Sequence, residues 1–406
     1  MGASTPGRDP DKTTRRPAPQ PTTRRPAAGR AGGGATPTVT RAQVLAYRWR
    51  RQQLAADTAA ADPDLLDFGI QDTGPDGAGW AVHLRGGTAP DAAAHFLAWT
   101  LRGAPHLYRR ADAAAVTTAT APLSELDAGK RIFDANRALK AAGIPALEAL
   151  ARVAEAARAV VTAGTPKGRL SATLTDRLPE PYLRDCRPCQ AVHPDEMLFR
   201  LAMLPAALEL TADTSPPVLR RIPKLRARLL ATLGDQAAPR VDVIRNYLRF
   251  YGPATAREAA AFTDSPVREV QRCWPADAVA VRVRDDPRAA LYALAGDLPD
   301  LLAAAPTRGE LRLAGPYDAF LQGRDRDLLV PDGSRHRTLW AVIGRPGGIL
   351  LDGEVAGTWR PRTTGRRLAL AVDWWRPATP TLRTLLAAEG ERLAAYRGVS
   401  FAGAAG

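Results

Sequence analysis

Three cysteines in 406 residues are too few for a disulfide framework, and their scarcity agrees with a reducing compartment. No run approaches the roughly 20 apolar residues that a membrane span needs. The N-terminus carries charge but no apolar core segment, which argues against a secretory signal. A cytoplasmic, nucleoid-associated location without a membrane partner is the expectation. Several signatures are also absent: a phosphate-binding glycine loop with lysine and serine, an HExxH pair, and a nucleophile elbow. No cofactor is therefore expected. Lysine is almost missing, at 5 residues against 51 arginines. A GC-rich coding sequence produces that bias unaided, so the placement of arginines carries information and their number does not.

What is present is an ordinary globular composition, 45% hydrophobic and 24% charged, with a net charge of +14. Length alone suggests two to three domains. Residues 1–39 hold seven of the basic residues, are rich in Pro, Gly and Thr, and repeat TTRRPA. They bury too little surface to offset ordering entropy and read as a disordered basic tail, either an arm for phosphates or a leader ahead of a start at Val39. Four further segments follow. Residues 40–122 form a first winged-helix unit, 123–236 a second helical or winged-helix unit, 237–305 a third, and 306–406 a β-rich part. The predicted class is α+β, mostly helical.

Local patterns support this division. Thr40 reads as the N-cap of a helix through Trp49. Leu65–Ile70 leads into a loop at Gly74-Pro75, then helices at 78–84 and 90–98, then an extended segment at 99–108. Leu147, Leu150, Val153 and Ala157 make one helical stripe. A turn at 165–168 separates it from a helix at 170–178, within a stretch, 123–210, that reads as mostly helical. The third unit is the clearest. Val241, Ile244, Leu248 and Tyr251 share a face, Gly252-Pro253 breaks the helix, Thr255 caps a second, and Val267, Val270 and Trp274 mark a third. Two alternating segments, 278–284 and 290–295, complete a winged helix, whose third helix suits a major groove about 12 Å wide. Arg268 and Arg272 face outward there. Beyond 311, Asp352-Gly353 and Thr364-Gly365 mark hairpin turns, Gly347-Gly348 reads as another turn, and a closing helix spans 381–396.

Arg345, Arg360, Arg362 and Arg366 cluster around those hairpins, where guanidinium groups on a thin ribbon follow a groove and contact phosphates. The competing reading is a solvated edge guarded by charge. Cys186-X2-Cys189-X3-His193 has zinc-like spacing, but no fourth ligand lies nearby. Two reduced thiols are the favoured reading there, and no metal is expected.

Ile70-Gln71-Asp72-Thr73, Gly77–Arg85, Leu101-Arg102-Gly103-Ala104-Pro105-His106-Leu107, Tyr251–Thr255, Pro316-Tyr317-Asp318 and Asp352–Arg360 together resemble the AlkZ-like (YcaQ-type) winged-helix DNA glycosylases. Their order along the chain carries the match. The resemblance implies tandem winged helices around a DNA channel, a hairpin against duplex DNA, and excision of N7-alkylated purines. Its catalytic pattern is glutamine, any residue, then glutamine or aspartate. Gln71 matches the first position, whereas Thr73 departs from the second. An amide orients water without acting as a base. Asp72 is the remaining carboxylate, although in an extended segment 71 and 73 share a face and 72 points away. Arg102 and His106 match a further fragment, as DNA contacts or as internal buttresses, with buttressing favoured for Arg102. The expected function is thus duplex-DNA binding on a repair-glycosylase scaffold. Its alternatives are a non-catalytic regulator on that scaffold and a protein-interaction module.

Overall fold

A computed structural model describes residues 1–2, 35–227, 234–288 and 291–406. Most of the expected basic tail, residues 3–34, lies outside them. The chain divides into two units, Met1–Gly34 and Ala35–Gly406, and all helices and strands of the described residues belong to the second. The end of the expected tail is structured. Strand β1 (Thr38–Val39) leads into α1 (Arg41–Arg51), whose Thr40 cap forms a reciprocal capping box with Gln43.

The same small motif then recurs three times. A short strand precedes a helix and pairs, antiparallel, with the second arm of a later hairpin. In the first unit β2 (Ile70–Gln71) precedes α2 (Gly77–Leu84), and the hairpin is β3 (His95–Trp99) with β4 (Pro105–Arg109). Strand β2 pairs with β4 and β4 with β3. In the second unit α3 (Ala146–Val160) is followed by β5 (Thr165–Pro166) and α4 (Lys167–Thr175). An added ribbon of β6 (Leu183–Cys186) and β7 (Ala191–Pro194) precedes α5 (Glu196–Met203), and the hairpin is β8 (Leu208–Leu210) with β9 (Val218–Arg221). Strand β5 pairs with β9 and β9 with β8. The two sheets meet at Leu97 opposite Leu210, giving one six-stranded sheet in the order β2-β4-β3-β8-β9-β5.

The third unit follows its sequence pattern closely. Helix α6 (Val243–Tyr251), α7 (Ala256–Thr263, with a Thr255–Glu258 capping box) and α8 (Val267–Arg272) precede β10 (Ala278–Val283) and β11 (Leu291–Leu294). Ala254 bridges to Tyr292, supplying the short strand of the motif, and β1 joins β10 in parallel. The C-terminal sheet runs β12 (Leu311–Ala314), β13 (Gly347–Leu351), β14 (Glu354–Thr364), β15 (Arg367–Trp374) and, after α9 (Pro380–Tyr396), β16 (Ser400–Ala405). One apolar core lies within the winged-helix units; a second joins α1 and the third unit's hairpin to the C-terminal sheet.

Four local expectations are corrected. The segment at 90–98 is not a helix: a turn at Asp91 leads into β3, whose Phe96, Leu97, Ala98 and Trp99 are all buried. A strand buried on both faces loses the alternation that marks a half-exposed one. The extended segment at 99–108 is interrupted by a single tight turn, Leu101–Gly103. Residues 165–166 are strand and α4 begins at Lys167, so the supposed turn belongs to the sheet. Gly347 and Gly348 are buried within β13. A Cβ on Gly347 would stand 2.3 Å from Trp359 Nε1, so glycine there admits a tryptophan and makes no bend.

Candidate active site and nucleic-acid interface

Strand β2 ends where it is needed. Gln71 is the last paired residue, opposite His106, and the amide of Asp72 still donates to the Pro105 carbonyl at 2.8 Å. Beyond it the backbone turns toward α2. Asp72 faces the start of that helix, where its Oδ1 accepts from the amide of Ala78 at 2.8 Å. Gly77, at φ +38°, permits this approach; a Cβ would fall 2.0 Å from the same oxygen. Burial raises the Asp72 carboxyl above its ordinary value, against the opposing pull of the Ala78 amide. Asp72 does not face the cleft, and its geometry is that of a helix-terminal acceptor.

Gln71 and Thr73 do face it. They line one side of a cleft of about 240 Å³, together with Trp80 of α2. Tyr317, Arg345 and Arg360 line it from the C-terminal part of the chain, as does Arg397, which is paired to Asp76. Gln71 is clamped. Its Oε1 accepts from Arg102 Nη2 at 3.1 Å, and its Nε2 donates to Thr73 Oγ1 at 3.1 Å. A guanidinium only donates, so it fixes which end of the amide is oxygen. The second oxygen lone pair of Gln71 and the hydroxyl proton of Thr73 are then left for a water.

Arg102 itself is a buttress. Its left-handed φ of +56° turns the side chain toward α7, where it donates to the Phe262 carbonyl at 2.8 Å and stacks 4.3 Å above the Phe262 ring. Burial, followed by repulsion from Arg324, lowers its pKa to about 10, which leaves it charged at neutral pH. His106, expected at the DNA surface or as a buttress, is 2% exposed. Its Nδ1 lies 2.9 Å from the Ala104 carbonyl and 3.1 Å from Thr100 Oγ1. A ring so enclosed does not reach a phosphate.

Burial, then the nearby Arg102, lowers the His106 pKa from 6.5 to about 3. The unfolded chain takes up this proton near pH 6.5, whereas the folded one resists until about pH 3. The stabilisation is therefore complete above the upper value and is lost as pH falls through this window. The urea midpoint of the protein should fall more steeply between pH 7 and 4 than that of His106→Gln; equal slopes would contradict the assignment.

The remaining arginines separate into two groups. Arg345 stacks on Tyr317 at 4.6 Å, and Arg360 donates to the Gly344 carbonyl at 2.5 Å, both at the cleft wall. Past Arg360 the β14–β15 hairpin continues as an exposed ribbon bearing Arg362 and Arg366, with Arg366 donating to the Gly398 carbonyl at 2.9 Å. Val342 and Ile343 stand 92% and 90% exposed on the loop that leads through Gly344, the acceptor of Arg360, into Arg345. Arg268 and Arg272 are outward on α8, as expected, but do not line the cleft; Arg272 donates to the Leu123 carbonyl at 2.7 Å. Sequence reasoning missed Trp80, Tyr317 and Arg397 as cleft residues. The first two lie in the fragments that carry the family resemblance, whereas Arg397 meets an aspartate 321 residues away and gave no local signal.

Tandem winged helices carrying a clamped glutamine beside an arginine-bearing ribbon define a scaffold of the DNA-repair glycosylase class. The family model described as DNA glycosylase AlkZ-like matches residues 69–396, and the chain belongs to that family. Among solved structures it is similar to the Streptomyces sahachiroi DNA glycosylase AlkZ. The TM-score is 0.68 at 19% identity, covering 91% of this chain and 99% of the other. No curated protein matches the sequence. DNA is the partner that family membership gives, and no helix among the described residues is long and apolar enough to cross a membrane.

Proposed function

We propose that this protein hydrolyses the N-glycosidic bond of N7-alkylated purines in duplex DNA. The observation that carries the reading is the Gln71–Thr73 pair, held by Arg102 on the face of the cleft. An N7-alkylpurine already carries positive charge, so its C1′–N9 bond breaks with the electron pair neutralising the base and needs no acid. What remains is to place a water whose oxygen bonds to C1′ while its proton leaves to solvent. Gln71 Oε1 accepts from that water and Thr73 Oγ1 orients it. This is catalysis by positioning, the role open to groups that are not bases. The test is release of free N7-alkylguanine from alkylated duplex above the spontaneous rate.

The competing reading, a non-catalytic DNA-binding protein, draws on two observations. Thr73 stands where the family pattern has glutamine or aspartate, and the neighbouring carboxylate of Asp72 is turned to a helix end. Duplex binding without base release would favour it.

In either case the β14–β15 ribbon lies along the phosphates, and Val342 and Ile343 press into the base stack as an apolar wedge. The two contributions separate by salt. Arg362→Ala and Arg366→Ala should each reduce the log–log salt slope of duplex binding by about 0.9. Val342→Ser with Ile343→Ser should weaken binding and leave the slope unchanged. Fluorescence anisotropy across a salt series checks both, and arginine variants with unaltered slopes would remove the ribbon from the interface.

A further inference from the structure

The ribbon β6–β7 fills the turn between α4 and α5, a place that in the third unit holds only Asp264, Ser265 and Pro266. Its two strands of four residues pair with each other and, among the described residues, with no other strand. Most of its side chains are exposed, including Val192. An isolated two-stranded ribbon with so little core is marginal in water. Small elements of this kind are held by a covalent or metal cross-link.

The ribbon places suitable groups together. Cys186 ends β6, and the turn that follows returns Cys189 so that its amide donates to the Cys186 carbonyl at 3.1 Å. In the ladder Cys186 faces Ala191 and Arg184 faces His193, so Cys186 and His193 project from one face. One ligand atom from each of Cys186, Cys189 and His193 lies within 4.8 Å of the other two. Zn–S bonds of about 2.3 Å and Zn–N bonds of about 2.0 Å set tetrahedral ligand atoms roughly 3.5 Å apart, so small side-chain rotations close the site. The imidazole is already oriented, because Nδ1 lies 2.7 Å from the Pro194 carbonyl and donates to it, which leaves Nε2 as the free lone pair. Ligating histidines are held in this way by a backbone acceptor. Arg184 Nη2 sits 3.7 Å from Cys186 Sγ, a donor to a thiolate sulfur.

We propose that Cys186, Cys189 and His193 bind one zinc ion, which staples the ribbon and so fixes the start of α5. Two thiols lose their protons to solvent on binding, their charges balance the ion, and water completes the tetrahedron. The consequence for the fold is direct. Helix α5 starts two residues past Pro194, and its Arg200 donates to the carbonyl of Gly103, next to Arg102, at 3.0 Å.

The experiment is elemental analysis of the full chain purified under reducing conditions, with cobalt substitution as a spectroscopic probe. One zinc per chain and thiolate-to-cobalt charge-transfer absorption are expected. Cys189→Ser and His193→Ala should each lower zinc affinity on the order of tenfold or more while circular dichroism is retained, and Cys273→Ser should keep the metal. A metal-free chain with both thiols titratable, or a Cys186–Cys189 disulfide found by mass spectrometry, would overturn the assignment. Neither result depends on glycosylase activity.

Discussion

Gln71→Ala should slow release of N7-alkylguanine, lowering the single-turnover rate by about 10²- to 10³-fold, the scale for losing one preorganised polar group that acts at the transition state. Duplex affinity and urea midpoint should stay near those of the parent. Gln71 is half-buried, and among the described residues its amide hydrogen-bonds Arg102 and Thr73, so truncation removes two hydrogen bonds at the edge of the cleft and no buried apolar packing. Thr73→Ala should cost less, about tenfold, because the amide oxygen still accepts from the water. Thr73→Gln, which restores the family pattern, should release base at least as fast as the parent. An unchanged rate in Gln71→Ala would refute the site, even if excision itself were real. Asp72→Asn provides the internal contrast. Its carboxylate meets a helix amide and not the cleft, so this change should alter stability by about 1 kcal/mol and leave the rate nearly intact.

How much of this was legible beforehand depends on distance along the chain. The Thr40 cap, the stripe of α3 and the three helices of the third unit are set within a few residues, and cap residues and periodicity exposed them. The split between Gln71 and Thr73 on one side and Asp72 on the other is the one strand alternation predicts, although the strand itself ends at Gln71. Strand β3 was misread because successive residues on both of its faces are buried, which erases the alternation, and helix propensity in an alanine-rich stretch pointed elsewhere. The clamp on Gln71 was out of reach. It needs Arg102 to find Phe262, 160 residues away, through a left-handed backbone that no pattern announces. The Cys186 ribbon lay inside a stretch that read as helical, so the folding-back of its ligands onto one face was hidden too.

The largest stability effect should come from a residue the sequence marked only as part of a family fragment. Asp318, in Pro316-Tyr317-Asp318, receives two hydrogen bonds of 2.9 Å from Arg85, and the side chains are 1% and 0% exposed. It also caps the turn at Phe320 by accepting from that amide at 2.9 Å. Arg85 closes α2 and donates in addition to the Ala81 carbonyl. The pair thus ties the helix that follows the Gln71–Thr73 turn to the C-terminal part of the chain, across 233 residues of sequence. Removing one partner strands the other charge among almost fully buried side chains, which costs about 3–5 kcal/mol. Asp318→Ala and Arg85→Ala should each shift the urea midpoint by that equivalent. The double change Arg85→Met with Asp318→Leu should recover much of the loss, since a packed apolar pair carries no desolvation penalty. Chemical denaturation of the parent, the two single variants and the double variant checks both expectations. If the single variants unfold within 1 kcal/mol of the parent, roughly the value of an exposed ion pair, the buried pair does not hold the two parts of the cleft together.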